Sequence, residues 1–201
     1  MSESSQELPT TRDRILEAGI EAASIHGITR LTVGDVAKRA GVSRPTLYKH
    51  FRSKEDLVAA AVAREADVMV LAVVDAVAPI VDPRLALEAA IAAVLRITRD
   101  HPLLDRVIRT EPEALLPLLV ADNGPVITRV RAAIDVVLAQ RFEAVDDLHR
   151  RRFADVVGRL LVSFAVNAPD DPPEVVAAAV ASILVDGIWS FVDASSPKEI
   201  R

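Results

Sequence analysis

LTVGDVAKRAGVSRPTLYKHFRSKEDLVAA, residues 31–60, decides how this chain is read. Thr32 stands where a helix N-cap belongs and Asp35 follows three residues later, a capping box with Asp in the acidic place. Gly41 ends that short helix, and Ser43 caps the next one, with Pro45 in its first turn, where a missing N–H costs nothing. Ser53 and Asp56 form another capping box, opening a long helix through Ala63 and Val70 to about Ala78. Upstream, Thr10 or Thr11 caps a helix that carries Ile15, Leu16, Gly19, Ile20 and Ala23 on one face and stops at Gly27. Residues 10–52 therefore read as three short helices, with the junction Ala40-Gly41-Val42-Ser43 between the second and third. A short helix, a turn of three or four residues containing glycine, and a second short helix make a helix-turn-helix. Ala37 is small where the two helices approach, Gly41 permits a left-handed turn, and Val42 and Leu47 anchor the joint. Arg44, Thr46, Lys49 and His50 are left facing outward.

The rest of the composition agrees with a helical protein. Of 201 residues, 51% are hydrophobic, 26% charged and 3% aromatic, so the apolar content is mostly Ala, Val, Leu and Ile. Such a mixture favours packed helices over sheet, and seven glycines are too few for a turn-rich sheet protein. A chain this long buries roughly 70% of its unfolded surface and needs no staple. The absence of cysteine removes disulfides, thiolate zinc sites, iron–sulfur clusters and cysteine nucleophiles. MSESSQELP, residues 1–9, has neither the basic nor the apolar region of a signal peptide. The longest uncharged apolar run, 175–185, falls well short of the roughly 20 residues a membrane helix needs. The expectation is a soluble cytoplasmic protein with no membrane partner.

A net charge of −5 argues against a nucleic-acid binder, but its distribution argues for one. Between residues 30 and 54, Arg30, Lys38, Arg39, Arg44, Lys49, Arg52 and Lys54 face Asp35 alone, a local charge of +6 that leaves −11 for the remainder. An acidic body with one compact basic patch suits a small module that meets phosphates; clustering on a solvated face is the blander alternative. Enzyme chemistry finds no support. His26, His50, His101 and His149 form no metal-spaced pair, and no phosphate-binding glycine loop, GxSxG elbow or HExxH is present. No catalytic residue, metal or cofactor is expected. Asp146 and Asp147 read as a helix cap, and Arg150–Arg152 as a solvated or interface run.

Prolines divide the chain beyond residue 53 into helices of roughly 83–100, 102–110, 112–120, 125–143, 147–167 and 173–193, with Pro117 expected to kink or end its helix. The fold class is all-α. A tail covers residues 1–9, a helix-turn-helix domain 10–53, and a helical effector-binding and dimerisation domain 54–201, joined by the helix from residue 54.

The Gly-Val-Ser turn, the Thr-Leu-Tyr-x-His-Phe run and the Lys-Glu-Asp-Leu helix opening together resemble the DNA-binding domain of the TetR family of transcriptional regulators. That resemblance implies a homodimer on a palindromic double-stranded operator, repression as the default, and release by a small lipophilic effector. The alternative is a DNA-binding dimer with no small-molecule effector, controlled by a protein partner or acting as an activator. It also implies DNA contacts from Thr32, Ser43, Arg44, Pro45, Thr46, Tyr48, Lys49, His50 and Lys54. Physically, Arg44 can pair with guanine, and Pro45 and the Thr46 methyl can meet thymine methyls. Tyr48 and His50 match backbone-holding positions, and Lys54 adds charge at a helix N-terminus. Phe51 reads as core.

Family members pair through their two C-terminal helices. Here those carry apolar stripes: Phe153, Val157, Leu160 and Phe164 on one, Val180, Ile183, Leu184, Gly187, Ile188 and Phe191 on the other. The alternative is that both stripes face the chain's own core. The middle helices are expected to enclose the effector pocket, with Met69, Leu87, Ile91, Leu95, Leu104, Ile108, Leu115, Leu119, Ile127 and Trp189 as apolar candidates. His101, with Arg106, Arg109 and Glu111, is the candidate polar group at its mouth, against the plainer reading of helix caps and surface pairs.

Overall fold

The computed structural model describes the backbone of residues 9–99, 101–121, 124–141 and 145–195, and their side chains apart from 105, 120 and 186–195. The described helices are α1 (Thr11–His26), α2 (Val33–Arg39), α3 (Arg44–His50), α4 (Lys54–Val77), α5 (Pro83–Arg99), α6 (Pro102–Thr110), α7 (Pro112–Val120), α8 (Pro125–Arg141), α9 (Asp147–Val166) and α10 (Pro173–Ser195). No strand occurs among the described residues, and none of their helices is long and apolar enough to cross a membrane.

Local chemistry starts and stops these helices. Thr10 accepts the Asp13 N–H at 3.2 Å while the Asp13 carboxylate accepts the Thr10 N–H at 3.1 Å, a reciprocal box. Thr32, Ser43 and Ser53 each accept the N–H three residues on, at 3.2, 3.2 and 3.1 Å. Asp146 caps α9 by accepting from Leu148 and His149. Gly27 and Gly41 take φ of 86° and 66°, conformations that favour glycine, and so turn the chain out of α1 and between α2 and α3. Pro117 lies inside α7, which ends three residues past it at Val120, as the expected bounds of 112–120 have it. The proline withholds an N–H from the Glu113 carbonyl.

Two apolar clusters hold the molecule. In the first, Ile15 and Leu16 of α1, Val36 of α2, Leu47 of α3 and Phe51 meet Leu57 of α4. The same cluster continues without a break into Val107 of α6, Leu115 of α7 and Ile127 of α8. Each such side chain contributes about 1.5–3 kcal/mol by leaving water. In the second, Ile91 and Leu95 of α5 pack with Val157 and Leu161 of α9 and with Ala177 and Ala181 of α10. Those two alanines are fully buried, which lets α10 lie close along α5. Helix α4 belongs to both halves. Its first turns close the core of the three-helix head, and its later turns run on beneath α5 and α8.

Candidate functional site

Helix α3 is seven residues long and held by one side chain. Leu47 is fully buried, whereas Arg44, Pro45, Tyr48, Lys49 and His50 are exposed and Thr46 is half-buried. The buried Phe51, just past α3, fixes its far end, and the Arg12 guanidinium lies 5.4 Å from that ring's centre, a cation–π contact. The outward face thus combines two cations, an imidazole, a phenol and two small groups capable of apolar contact, on a rod of the width a major groove admits. The Arg44 guanidinium lies across Gly34 in the first turn of α2; a Cβ at Gly34 would overlap its Nη2. The Ser43 and Thr46 hydroxyls are 2.8 Å apart, so cap and recognition face share a hydrogen bond. The Thr32 hydroxyl donates to the Asp35 carboxylate at 2.5 Å while capping α2. Arg39 pairs with Glu21. Lys54, the phosphate contact expected at the start of α4, donates one Nζ hydrogen to the Thr29 carbonyl at 2.8 Å, bracing the α1–α2 loop.

A cavity of about 180 Å³ opens among α4, α5, α8 and α9, with Val185 of α10 closing one side. Met69, Val73, Leu87, Val94, Val130, Ile134, Phe153 and Leu161 are among its wall. Two polar residues join that wall, and both are occupied within the chain. The Thr98 hydroxyl donates to the Val94 carbonyl, and the Arg141 guanidinium to the Val77 and Ile80 carbonyls at the end of α4. A wall that is otherwise apolar, with both polar groups already bonded, offers burial to a hydrophobic ligand and little to a polar one.

Of the expected pocket residues, the structure brings Met69 and Leu87 to the cavity. It places Ile91 and Leu95 instead in the α5–α9–α10 core: they lie on the adjoining strip of α5, while Leu87 and Val94 pack against the edge of that core and line the cavity. Leu104, Leu115, Leu119 and Ile127 are buried in the core shared with the head, and Ile108 packs against it. The Trp189 side chain lies outside the described residues. His101 caps α6, accepting the Leu104 N–H on Nδ1, so the ring proton sits on Nε2 and is donated to Glu65 at 2.9 Å. That bond holds the Glu65 carboxyl below the usual carboxylate range despite partial burial.

The C-terminal stripes divide. Phe153 and Val157 face the cavity, and Phe164, Val180 and Leu184 pack partly against the second core. Leu160 is half-buried, and Ile183 is 73% exposed. Val156 of α9 and Val175 of α10 are also exposed, at 55% and 59%. Gly187, Ile188 and Phe191 have side chains outside the described residues.

Glu111 is where sequence reasoning fell shortest. Its carboxylate does not reach the cavity; it accepts the Thr29 N–H at 2.7 Å, and that backbone bond holds it below the usual carboxylate range. No local signal marks a contact across 82 residues. Among the described residues, no group of His, Asp and Glu could hold a metal ion.

Comparison with known proteins agrees with this geometry. Residues 15–61 match the family described as bacterial regulatory proteins, tetR family. Residues 82–186 match the bacterial tetracyclin repressor C-terminal domain. An uncharacterized HTH-type transcriptional regulator of Mycobacterium tuberculosis is 36% identical over 92 residues; the match covers 46% of each chain, about half that relative's length. The HTH-type transcriptional regulator AlkX of the same organism is 26% identical over 179 residues, covering 86% of this chain and 82% of that one. Among solved structures, the TetR family repressor AlkX from a Dietzia strain, implicated in biodegradation of n-alkanes, superposes with a TM-score of 0.73. It is 24% identical and covers 91% of this chain and 97% of that one. FadR from Bacillus subtilis, in complex with stearoyl-CoA, gives a TM-score of 0.58 at 18% identity, covering 87% and 97%. With a helix-turn-helix head whose α3 faces outward, and a family match that spans more than half the chain on its C-terminal side alone, this protein belongs to the TetR family of bacterial regulatory proteins.

Proposed function

We propose that the chain is a transcriptional repressor that binds a palindromic operator as a homodimer and lets go when an unbranched hydrocarbon chain enters its cavity. One observation carries this reading: α4 is at once a wall of the apolar cavity, through Ala66 to Val77, and a wall of the reading head's core, through Leu57 to Val62. A ligand that fits one arrangement of α4 better than another shifts the spacing of two heads, and only that difference in affinity does work. The spacing that counts is about 34 Å, one turn of DNA. The hydrocarbon class follows from a wall whose polar groups are already bonded inside the chain. The n-alkane connection of the Dietzia repressor and the stearoyl-CoA bound to the Bacillus protein lie in the same direction.

Selection from a random duplex pool should enrich an inverted repeat. Stearate or n-hexadecane should then weaken binding by about tenfold or more, which needs only about 1.4 kcal/mol of coupling. Ala133→Phe, which fills the cavity wall, should keep operator affinity and lose the response. Enrichment of unpaired half-sites would overturn the dimer; a parent indifferent to both probes would overturn the hydrocarbon effector.

Within the head, Arg44 and Thr46 read bases, Lys49, Tyr48 and His50 hold the backbone, and Thr32, Ser43 and Pro45 lie alongside. Arg44→Ala should cost about 1–3 kcal/mol per half-site and relax base preference at one position. Tyr48→Phe should weaken all sequences alike. Binding across operator variants separates the two.

A further inference from the structure

Helix α6 is a short rod bonded at both ends. At its start, His101 reaches Glu65 of α4, the residue immediately before cavity-lining Ala66, and its own N–H donates to the carbonyl of cavity-lining Thr98. At its end, Glu111 reaches across to the head and takes the Thr29 N–H at 2.7 Å. The rod between them is firmly seated: Leu103, Leu104 and Val107 are buried in the core that also holds Ile15 and Leu16. The loop it touches is equally constrained. The Thr29 peptide is gripped from both sides, its N–H by Glu111 and its carbonyl by Lys54. Glu111 also lies flat on Gly27, where a Cβ would overlap its Oε1 and where φ is 86°. Three residues after Thr29, Leu31 having entered the core, Thr32 caps the first helix of the helix-turn-helix.

We propose that Glu111 is a coupling residue: through it, α6 carries displacement of the cavity wall directly to the α1–α2 loop and sets the pose of the reading head, in parallel with α4. A carboxylate on a backbone amide suits this role, since hydrogen bonds to ionised groups are short and strong and fix position as well as distance. Gly27 gives the carboxylate room to sit against bare backbone, so the contact transmits a push as well as a pull. The proposal rests on the ligand-controlled reading above for its regulatory meaning, and the test separates the two.

The measurements are amide exchange at Thr29 by NMR and operator affinity with and without stearate, on the full-length dimer. Glu111→Ala should speed exchange at Thr29 by about tenfold or more, the loss of one hydrogen bond to a charged group, with α5 amides unchanged. In the same variant, stearate should no longer shift operator affinity as it does in the parent. Glu111→Gln, whose amide oxygen can still accept from Thr29, should recover part of both. At the far end of the rod, Glu65→Gln should alter Thr29 exchange in the parent and have no such effect in the Glu111→Ala background. A parent insensitive to stearate overturns the effector reading and leaves the Glu65–Glu111 cycle to decide the coupling. Additive effects in that cycle, or a Glu111→Ala protein with unaltered Thr29 exchange, would overturn the coupling itself.

Discussion

Ile183→Glu should turn the protein from a dimer into a folded monomer. Ile183 is 73% exposed on the single chain, and Val175 lies two turns before it on the same face of α10. Val156 of α9 is exposed in the same way. A glutamate there costs the isolated chain little, since exposed substitutions stay within about 0.5 kcal/mol. A two-fold interface places the same patch on both partners, so the change enters twice and buries carboxylates without cations opposite them. Light scattering at micromolar concentration should give a mass near 21.7 kDa for the variant and twice that for the parent. Operator affinity should fall by about 10²–10⁴-fold, because the second half-site is no longer held at high effective concentration. A variant that remains dimeric would place the interface on another face.

Leu47→Ala should be the most damaging single change in the reading head. Leu47 is 0% exposed and is the buried residue of α3; Phe51 and Val36 beside it are 2% and 0% exposed. Removing three carbons from such a site costs about 2–5 kcal/mol, the spread reflecting how far the walls collapse. The head is small, and α3 makes little other apolar contact, so that loss is a large share of what holds the helix in place. The expected result is a lower thermal midpoint, fast amide exchange through α2 and α3, and no measurable operator binding. Arg44→Ala is the control: it should weaken binding while leaving the melting curve unchanged, since Arg44 is exposed. A Leu47→Ala protein with parental stability would mean that α3 is held by something other than its buried face.

The two changes sit on opposite sides of what the sequence makes legible. Caps at Thr10, Thr32, Ser43, Ser53 and Asp146, the glycine turns at 27 and 41, and the burial of Leu47 all follow from rules that act within about four residues. So does the outward face of α3, because one anchored side of a seven-residue helix fixes the other. The pocket did not follow. Leu87, Ile91, Val94 and Leu95 are equally apolar, and α5 is apolar on more than one face, yet Leu87 and Val94 line the cavity while Ile91 and Leu95 fill the core.

Sequence by itself therefore determined the helices, their ends and the reading head, since hydrogen bonds between near neighbours and a single hydrophobic period are local properties. Tertiary structure alone decided which face of each regulatory helix meets the cavity, why Phe153 and Val157 turn inward while Ile183 stays outside, and that Glu111 and Lys54 close on one peptide at Thr29. Those outcomes depend on how whole helices are set against one another, and helices apolar on several sides can be rotated without violating any rule written in their own residues.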